Sequence, residues 1–492
     1  MDDMNSATDR LDDFLKRIGV RPNACHKDFD IRALSQNSNS CKRGDLFIAV
    51  KGAKFHGIEF FKDAKAQGVK FCLTSKISED YPKAEQIYIA DLESRLLEIC
   101  KAFYQDIEIP NVIAVTGTNG KSSIIDLIYQ IAAHLNISCN SLGTLGFKSE
   151  HNQSITSNLT SPDIFAFYNY LNIASRKGVE IFAFEASSHG LSQNRIGSVK
   201  LDMAVFTNLS LDHLDYHHNM EDYYQAKKLL FTKHLKDNGN VIINIDDPYG
   251  MRLRDELGGS NIYGISQKFD ADITFKILTD NSIKLKIINH EIIINHDFIA
   301  HFQIINYITA IAYFVLGHNI QLDLFPNLAS HLKPIKGRMQ VFEVEQKQAK
   351  VIIDFAHTPD ALENVLQSLK AITPNRLIAI FGCGGDRDKS KRAIMGKIAN
   401  ELADVAIVTD DNPRNEDPAI IRADIMHGND GLMEIDGRAD AILFALGSIK
   451  TGDILVILGK GHEEYQIIKN KKYDFSESEI VTNYLAEHYG HN

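Results

Sequence analysis

Val112-Ile113-Ala114-Val115-Thr116 runs directly into Gly117-Thr118-Asn119-Gly120-Lys121-Ser122-Ser123, and the architecture follows from that junction. The first five residues are a short β-branched run suited to a buried parallel strand. The glycines make the turn. From Ser122 the apolar positions Ile124, Ile128, Ala132 and Leu135 recur at helical spacing. Strand, glycine-rich turn and helix in this order build a phosphate site, because the backbone can approach phosphate oxygens and the helix N-terminus offers N–H donors. Lys121 can reach β- and γ-phosphates, and the hydroxyl of Ser122 or Ser123 can ligate Mg²⁺. Val115 stands where the first glycine of the full G-x-x-x-x-G-K-[ST] pattern would be, so the loop is a shortened one. ATP is the expected ligand.

Outward from this loop, further strands are expected at Asp45 to Val50, Ile181 to Glu185, Met203 to Thr207 and Asn240 to Asn244, with a helical stretch at Leu92 to Tyr104. A β-rich stretch follows from Asp272 to Ile294. Past Pro334-Ile335-Lys336-Gly337 the alternation restarts, with strands at Val351 to Phe355, Leu377 to Phe381, Val405 to Thr409 and Ile454 to Leu458. At 492 residues the chain is about three times the usual single-domain length. The predicted class is α/β in three domains, 1–106, 107–336 and 337–492, with a central P-loop-type wound parallel sheet and a Rossmann-like C-terminal domain.

The net charge of −11 excludes an overall basic field for nucleic acid or anionic lipid, so an anionic ligand must be held by local basic groups and backbone N–H donors. The six cysteines (Cys25, Cys41, Cys72, Cys100, Cys139, Cys383) lack metal-type or redox-type spacing and read as free thiols in a reducing cytosol. Met1-Asp2-Asp3-Met4 is acidic where a signal peptide needs basic and then apolar residues. The longest apolar-rich stretch, Ile304 to Leu316, is too short to span a bilayer. A soluble, multi-domain, cytoplasmic protein is expected, with no nucleic acid and no membrane insertion.

The G-T-N-G-K-S-S loop resembles that of the Mur ligase superfamily, which includes folylpolyglutamate synthetases and uses ATP to join a carboxylate to an amine. Four further regions narrow the resemblance: Glu185-Ala186-Ser187-Ser188-His189-Gly190-Leu191; Thr207-Asn208-Leu209 with Asp212-His213-Leu214-Asp215-Tyr216-His217; Asp354-Phe355-Ala356-His357-Thr358-Pro359-Asp360; and Gly382-Cys383-Gly384-Gly385-Asp386-Arg387-Asp388-Lys389 with Asp411-Asn412-Pro413-Arg414. They resemble the branch of the Mur ligase family that adds the third amino acid of the peptidoglycan peptide. The resemblance implies that the three domains bind a UDP-linked muramoyl dipeptide, ATP and the incoming amino acid, and that an acyl phosphate lies between substrates and product. Peptidoglycan synthesis would tie the chain to cell wall biogenesis, cell shape and division.

Residue roles follow from the same resemblance. Gly117, Thr118, Asn119, Gly120, Lys121, Ser122 and Ser123 would cradle ATP, Asn306 would contact adenine, Arg338 a phosphate, and Asp354 and His357 would face the nucleotide. Glu185 and His213 carry a metal role in the family, with Ser122; either alone reads as an ordinary polar residue. Lys227 reads from spacing as a solvated helical lysine. The resemblance instead makes it a lysine that takes up CO₂ as a carbamate and so becomes an anionic Mg²⁺ ligand. Lys121, Lys227, His213 and Glu185 are thus the catalytic candidates.

Ser38, Thr160, Ser161, Ser187, Gln193 and Arg195 match positions that hold the UDP-muramoyl dipeptide, although Ser161-Pro162-Asp163 also reads as a helix start. The N-terminal domain departs from the family pattern at Asn37-Ser38-Asn39 and His56-Gly57-Ile58, and two single positions, Gln303 and Lys336, depart where Asn and Pro are common. Arg387, Asp411, Asn412, Pro413, Arg414, Gly459 and Glu463 match the amino-acid pocket in the version that takes meso-diaminopimelate, whose far carboxylate could pair bidentately with Arg414. The alternatives are an L-lysine-adding relative, a folylpolyglutamate-type ligase, and a catalytically silent nucleotide-binding scaffold.

Overall fold

The computed structural model describes residues 8–52, 55–149, 152–155, 160–279, 281–469 and 471–490; the acidic segment Met1 to Met4 lies outside the described residues. The chain forms two compact units. One comprises Met1–Ala114, Leu135–Ala204 and Leu229–Gly239, the other Val115–His134, Val205–Lys228 and Asn240–Asn492.

The first unit opens with helix Leu11–Arg17 between the paired strands Asp9–Arg10 and Asp30–Ile31, followed by four short parallel strands in chain order, Leu34–Ser35, Leu46–Ala49, Cys72–Thr74 and Gln86–Tyr88. Their core gathers Phe47, Ala49, Ile58, Phe61 and Cys72. The departure at His56 has a structural use here. Its Nδ1 accepts the Ile58 N–H while Glu59 accepts the His56 N–H, so His56 caps the turn Gly57–Phe60. A second run of neighbouring strands reads Asn152–Ile155, Gly146–Ser149, Cys139–Gly143, Ile181–Glu185, Asn111–Thr116 and Leu201–Phe206. Ile181–Glu185 is parallel to Cys139–Gly143, while Cys139–Gly143 and Gly146–Ser149 form an antiparallel hairpin. The sequence reading missed that hairpin because Asn140 and Ser141 interrupt its apolar run, yet both are buried.

In the second unit the helix Lys121–His134 packs on His301–His318. Strand Leu235–Asn244 continues in parallel to Ile262–Ser266 and Ile273–Thr279, then antiparallel through Ser282–Ile287 and His290–Asn295, within the β-rich stretch expected. The C-terminal sheet orders its strands Gln340–Val344, Ala349–Asp354, Ile454–Leu458, Leu377–Phe381, Val405–Val408 and Met433–Glu434, all parallel except the first. Its inner strands Ile454–Leu458, Leu377–Phe381 and Val405–Val408 read as unbroken apolar runs because both faces are covered. Ile352, Ala379, Val408 and Val456 meet Leu362, Met395 and Ile421 on one side. Their neighbours Val351, Ile353, Ile378 and Leu455 meet Ala441, Ile442 and Val481 on the other.

That second face also buries an ion pair. Arg438 donates through Nε to Glu477 Oε1 at 2.6 Å and through Nη2 to Leu458 O at 2.7 Å, and neither side chain is exposed. Removing one partner of such a pair strands the other charge. Arg438→Leu should therefore destabilise the fold by about 3–5 kcal/mol, and Arg438→Leu/Glu477→Leu by clearly less than the sum of the single changes. Urea unfolding of the three variants measures this, and additive losses would exclude the pairing as the cause.

Candidate active site

The phosphate loop is held from beneath by the segment after strand Leu201–Phe206. Thr118 N–H donates to Asn208 O and Asn119 N–H to Asn208 Oδ1, both at 2.9 Å, while Thr207 Oγ1 donates to Asn119 O at 2.6 Å. Gly117 has φ 149°, and a Cβ there would sit 1.8 Å from Thr207 Oγ1. Only glycine fits. Asn119 Nδ2 also donates to Asp360 Oδ2 at 2.9 Å, at the start of helix Pro359–Ile372. Lys121 opens its helix and folds back, donating to Gly117 O at 2.9 Å and Thr118 O at 2.8 Å. Arg338 donates to Ser122 Oγ at 3.0 Å and lies over the Phe355 ring. Asn306 is buried beside Gly120, in an apolar cleft that Ile124, Phe206, Ile242 and Phe302 also line.

Lys227 corrects the generic reading of a helical lysine. On helix Met220–Thr232 it is 1% exposed, donates to Gly117 O at 2.8 Å and lies over the Tyr223 ring. Two lysine amines thus share one carbonyl oxygen. Burial, and then the Lys121 charge, push the Lys227 amine well below its ordinary value, with Asp212 opposing.

Asp212 is the carboxylate in this region that the motif reading passed over. It is buried, 3.4 Å from His213 Nε2, 3.6 Å from Lys391 Nζ and 3.9 Å from His357 Nε2. Burial alone would raise its carboxyl, but the charges of His213, Lys391 and His357 hold it below the usual range. Lys391 also donates to His357 O at 2.9 Å. Desolvation and then the Lys391 charge lower His357, whose Nδ1 bonds Phe355 O. Asp354 accepts from Met339 N–H and Ala356 N–H, both at 2.8 Å, and burial raises its carboxyl. Lysines, arginine and helix N–H groups around few carboxylates suit a polyphosphate.

The amino-acid candidates follow the C-terminal ends of strands in the C-terminal sheet. Arg414 is half-buried, and its Nη1 donates to Gly385 O at 2.8 Å and Asn412 O at 3.4 Å; among the described residues no carboxylate forms an ion pair with it. Burial and then the Arg387 charge lower its guanidinium, so an anion there would be stabilising. Asn412 Nδ2 donates to Glu463 Oε2 at 2.9 Å, and Gly459 N–H donates to Asp354 O at 3.1 Å. Pro413 is buried between them, Asp411 lies beside Asn412, and Arg387 Nη1 is 3.6 Å from Asp215 Oδ2. Lys460, which the motif reading also passed over, lies wholly buried among these residues.

In the first unit, Ser161 Oγ accepts from Ser187 N–H and Ser187 Oγ and donates to Glu185 O, all at 3.0 Å. Arg195 Nη1 donates to Ser161 O at 2.6 Å, and its other nitrogens to Gln193 Oε1. Thr144 donates to Glu185 through N–H and Oγ1, and its Oγ1 also meets Thr160 Oγ1 at 3.1 Å. The helix-start reading holds too, since Asp163 caps Ile164–Arg176. Ser38 is buried on the turn after Leu34–Ser35, outside this cluster.

Models of three families match the chain: "Mur ligase family, catalytic domain" over residues 30–104, "Mur ligase middle domain" over 115–314, and "Mur ligase, glutamate ligase domain" over 337–461. The chain is 39% identical over 478 residues to the UDP-N-acetylmuramoyl-L-alanyl-D-glutamate–2,6-diaminopimelate ligase of Rickettsia prowazekii (strain Madrid E), covering 94% of this chain and 98% of that protein. A solved structure bearing the same enzyme name is 31% identical, with 97% and 99% of the two chains covered and a TM-score of 0.62. The MurF ligase of Thermotoga maritima in complex with ADP shares the fold at 18% identity, with 89% and 95% covered and a TM-score of 0.63.

Lys121 sits at the helix start, donates to the loop carbonyls of Gly117 and Thr118 and belongs to no apolar core, so Lys121→Ala should leave the thermal midpoint nearly unchanged. Losing a charge-assisted contact to a buried anion costs roughly 2–5 kcal/mol, so affinity for a non-hydrolysable ATP analogue should fall about 30-fold or more. Calorimetric titration checks this; parental affinity would remove the loop from the nucleotide site.

Proposed function

The chain belongs to the Mur ligase family, and from that membership we propose that it joins meso-2,6-diaminopimelate to UDP-N-acetylmuramoyl-L-alanyl-D-glutamate, using ATP, in peptidoglycan synthesis. The enzyme is an ATP-dependent acid–amino-acid ligase. The observation that carries the choice of amino acid is Arg414: a half-buried guanidinium that bonds backbone carbonyls only matches a substrate bringing its own carboxylate to the far end. The division into domains 1–106, 107–336 and 337–492 is part of this reading.

The glutamate carboxylate attacks the γ-phosphorus of ATP, the bond to the bridging oxygen breaks, and ADP leaves with that electron pair. The diaminopimelate amine then attacks the acyl phosphate, inorganic phosphate leaves, and the amine gives up a proton. Gly117 to Ser123 and Arg338 hold the phosphates, Asn306 the base, and Asp354 and His357 the nucleotide's other side. Ser161, Ser187, Gln193, Arg195, Thr160 and Ser38 bind the UDP-linked dipeptide. Arg387, Asp411, Asn412, Pro413, Gly459 and Glu463 complete the amino-acid pocket.

Among the described residues no three His, Cys, Asp or Glu side chains gather as a metal cage. Ser122, a buried hydroxyl at the helix start, does suit a hard ion that keeps most of its ligands as phosphate oxygens and water. By the family resemblance, His213 and a carbamate on Lys227 would help to hold Mg²⁺, and Glu185 carries the same family role. Bound Mg²⁺ neutralises charge on the transferring phosphoryl group. A carbamate at Lys227 is supported by its depressed amine, since CO₂ adds to a neutral amine with release of one proton. The setting proposed is a cytoplasmic monomer acting on small molecules; no described helix is long and apolar enough to cross a membrane.

Two outcomes test the reading. Lys227→Ala should abolish turnover and be partly rescued by a short added carboxylate, while a bare amine seen at high resolution in active enzyme would exclude the carbamate. Arg414→Ala should lower catalytic efficiency with meso-diaminopimelate about 30-fold or more and hardly change that with L-lysine. Phosphate release with each amino acid measures it, and an unchanged ratio between the two would remove Arg414 as the selector.

A further inference from the structure

Lys460 holds none of the roles given above. It stands just past Gly459 at the end of strand Ile454–Leu458 and is 0% exposed. A lysine stem normally lets the ammonium reach water. Here Nζ donates instead to Asn412 Oδ1 and Glu463 Oε2, both at 3.1 Å, and lies 3.8 Å from Asp411 Oδ1. Asn412 closes the set. Its Nδ2 donates to the same Glu463 oxygen, and its Oδ1 also accepts the Ile467 N–H at 2.9 Å. Three pocket residues therefore converge on one buried ammonium, and the buried Asp411 Oδ1 has no hydrogen-bond partner among the described residues.

The charges that bear on Arg414 are those of Arg387, Asp411, Glu463 and Asp386. With Lys460 added, and with Asp215 lying 3.6 Å from Arg387, three cations meet four carboxylates, so loss of any one cation would leave a clear negative surplus. The adjoining Arg438–Glu477 pair is balanced within itself. We propose that Lys460 is a specificity-determining positioning residue: it orients Asn412 and Glu463, and by offsetting the Glu463 and Asp411 carboxylates it limits the negative charge of the pocket. A pocket that holds both a guanidinium and carboxylates, close to balance in charge, suits a substrate end that carries an ammonium and a carboxylate together. A lone ammonium, as at the end of L-lysine, brings no partner for Arg414 and meets only a small surplus of negative charge. Deleting the Lys460 charge would enlarge that surplus and would favour the lone cation. The inference rests on the reading of Asp411 to Arg414 and Glu463 as the amino-acid pocket.

The test uses the full chain with ATP and the UDP-linked dipeptide, following phosphate release with meso-diaminopimelate and with L-lysine. Where lysine turnover is too slow to time, its inhibition constant against meso-diaminopimelate gives the same comparison. Lys460→Met should raise KM for meso-diaminopimelate about tenfold or more with a smaller change in kcat, and move the efficiency ratio about tenfold or more toward L-lysine. Lys460→Arg, which keeps the charge, should stay within about threefold of the parent ratio. If Lys460→Met fails to fold, Lys460→Gln keeps a donor without the charge and is read in the same way. An equal loss for both amino acids in the folded, uncharged variant, or a ratio moved as far by Arg as by Met, would overturn the proposal. Arg414→Ala runs alongside: an unmoved ratio there overturns the pocket reading itself, whereas a moved one beside an unmoved Lys460 variant overturns the role of Lys460 alone.

Discussion

At Gly117 the backbone passes so close to Thr207 that no side chain fits, and this approach turns the Gly117 carbonyl toward two lysines at once. Two ammonium groups on one neutral oxygen would repel each other strongly in a buried setting. The conflict is relieved on one side by burial, which drives Lys227 toward its neutral form, while Lys121 keeps more contact with solvent and with the helix start. Packing thus gives two chemically identical side chains different settings, one amine at the helix start and one buried and held below its ordinary value. The difference requires the tight loop; a wider one would let both amines reach water and behave alike.

The same economy of charge recurs around Asp212. One buried carboxylate is approached by His213, His357 and Lys391, which come from three different segments. Because each contact exceeds 3.3 Å, none is a tight pair, and the carboxylate is held by the sum of their fields rather than by one partner. An arrangement of long contacts tolerates small displacements of each contributor. A single short bidentate pair would not.

Much of the frame was legible in the sequence. The runs Ile181 to Glu185, Leu377 to Phe381 and Ile454 to Leu458 are strands at those same residues, since a strand buried on both faces announces itself by uninterrupted apolar composition. The hairpin at Cys139–Gly143 and Gly146–Ser149 was not legible, because polar side chains in it are buried through tertiary contacts that no local pattern records. Lys227, Lys391 and Lys460 were hidden for a related reason: a lysine's burial depends on what other segments place over its stem. Asp212 and Asp360 stood inside motifs already singled out, yet spacing gives no sign of which acid in a run turns inward. Depth, unlike periodicity, is not a local property of sequence.

The placement of the pocket follows from the wound sheet itself. Asp354 ends its strand, and Cys383, Asp411 and Gly459 come just beyond the C-terminal ends of theirs, where connections leave the sheet and a crevice forms. The fold therefore supplies the place, but any chemistry can be set there. What narrows it is the side chains the strand ends happen to carry. Arg414 lies on the loop after Val405–Val408 and Glu463 on the loop after Ile454–Leu458, strands that are not neighbours in the sheet, since Leu377–Phe381 runs between them. The Asn412 amide and the Lys460 ammonium tie these two loops to each other, so the spacing between guanidinium and carboxylates is fixed by buried bonds rather than by exposed loop conformation. A pocket braced in this way holds its polar groups at set positions before any ligand arrives, which is the condition under which a difference of one carboxylate between two amino acids becomes a difference in binding energy.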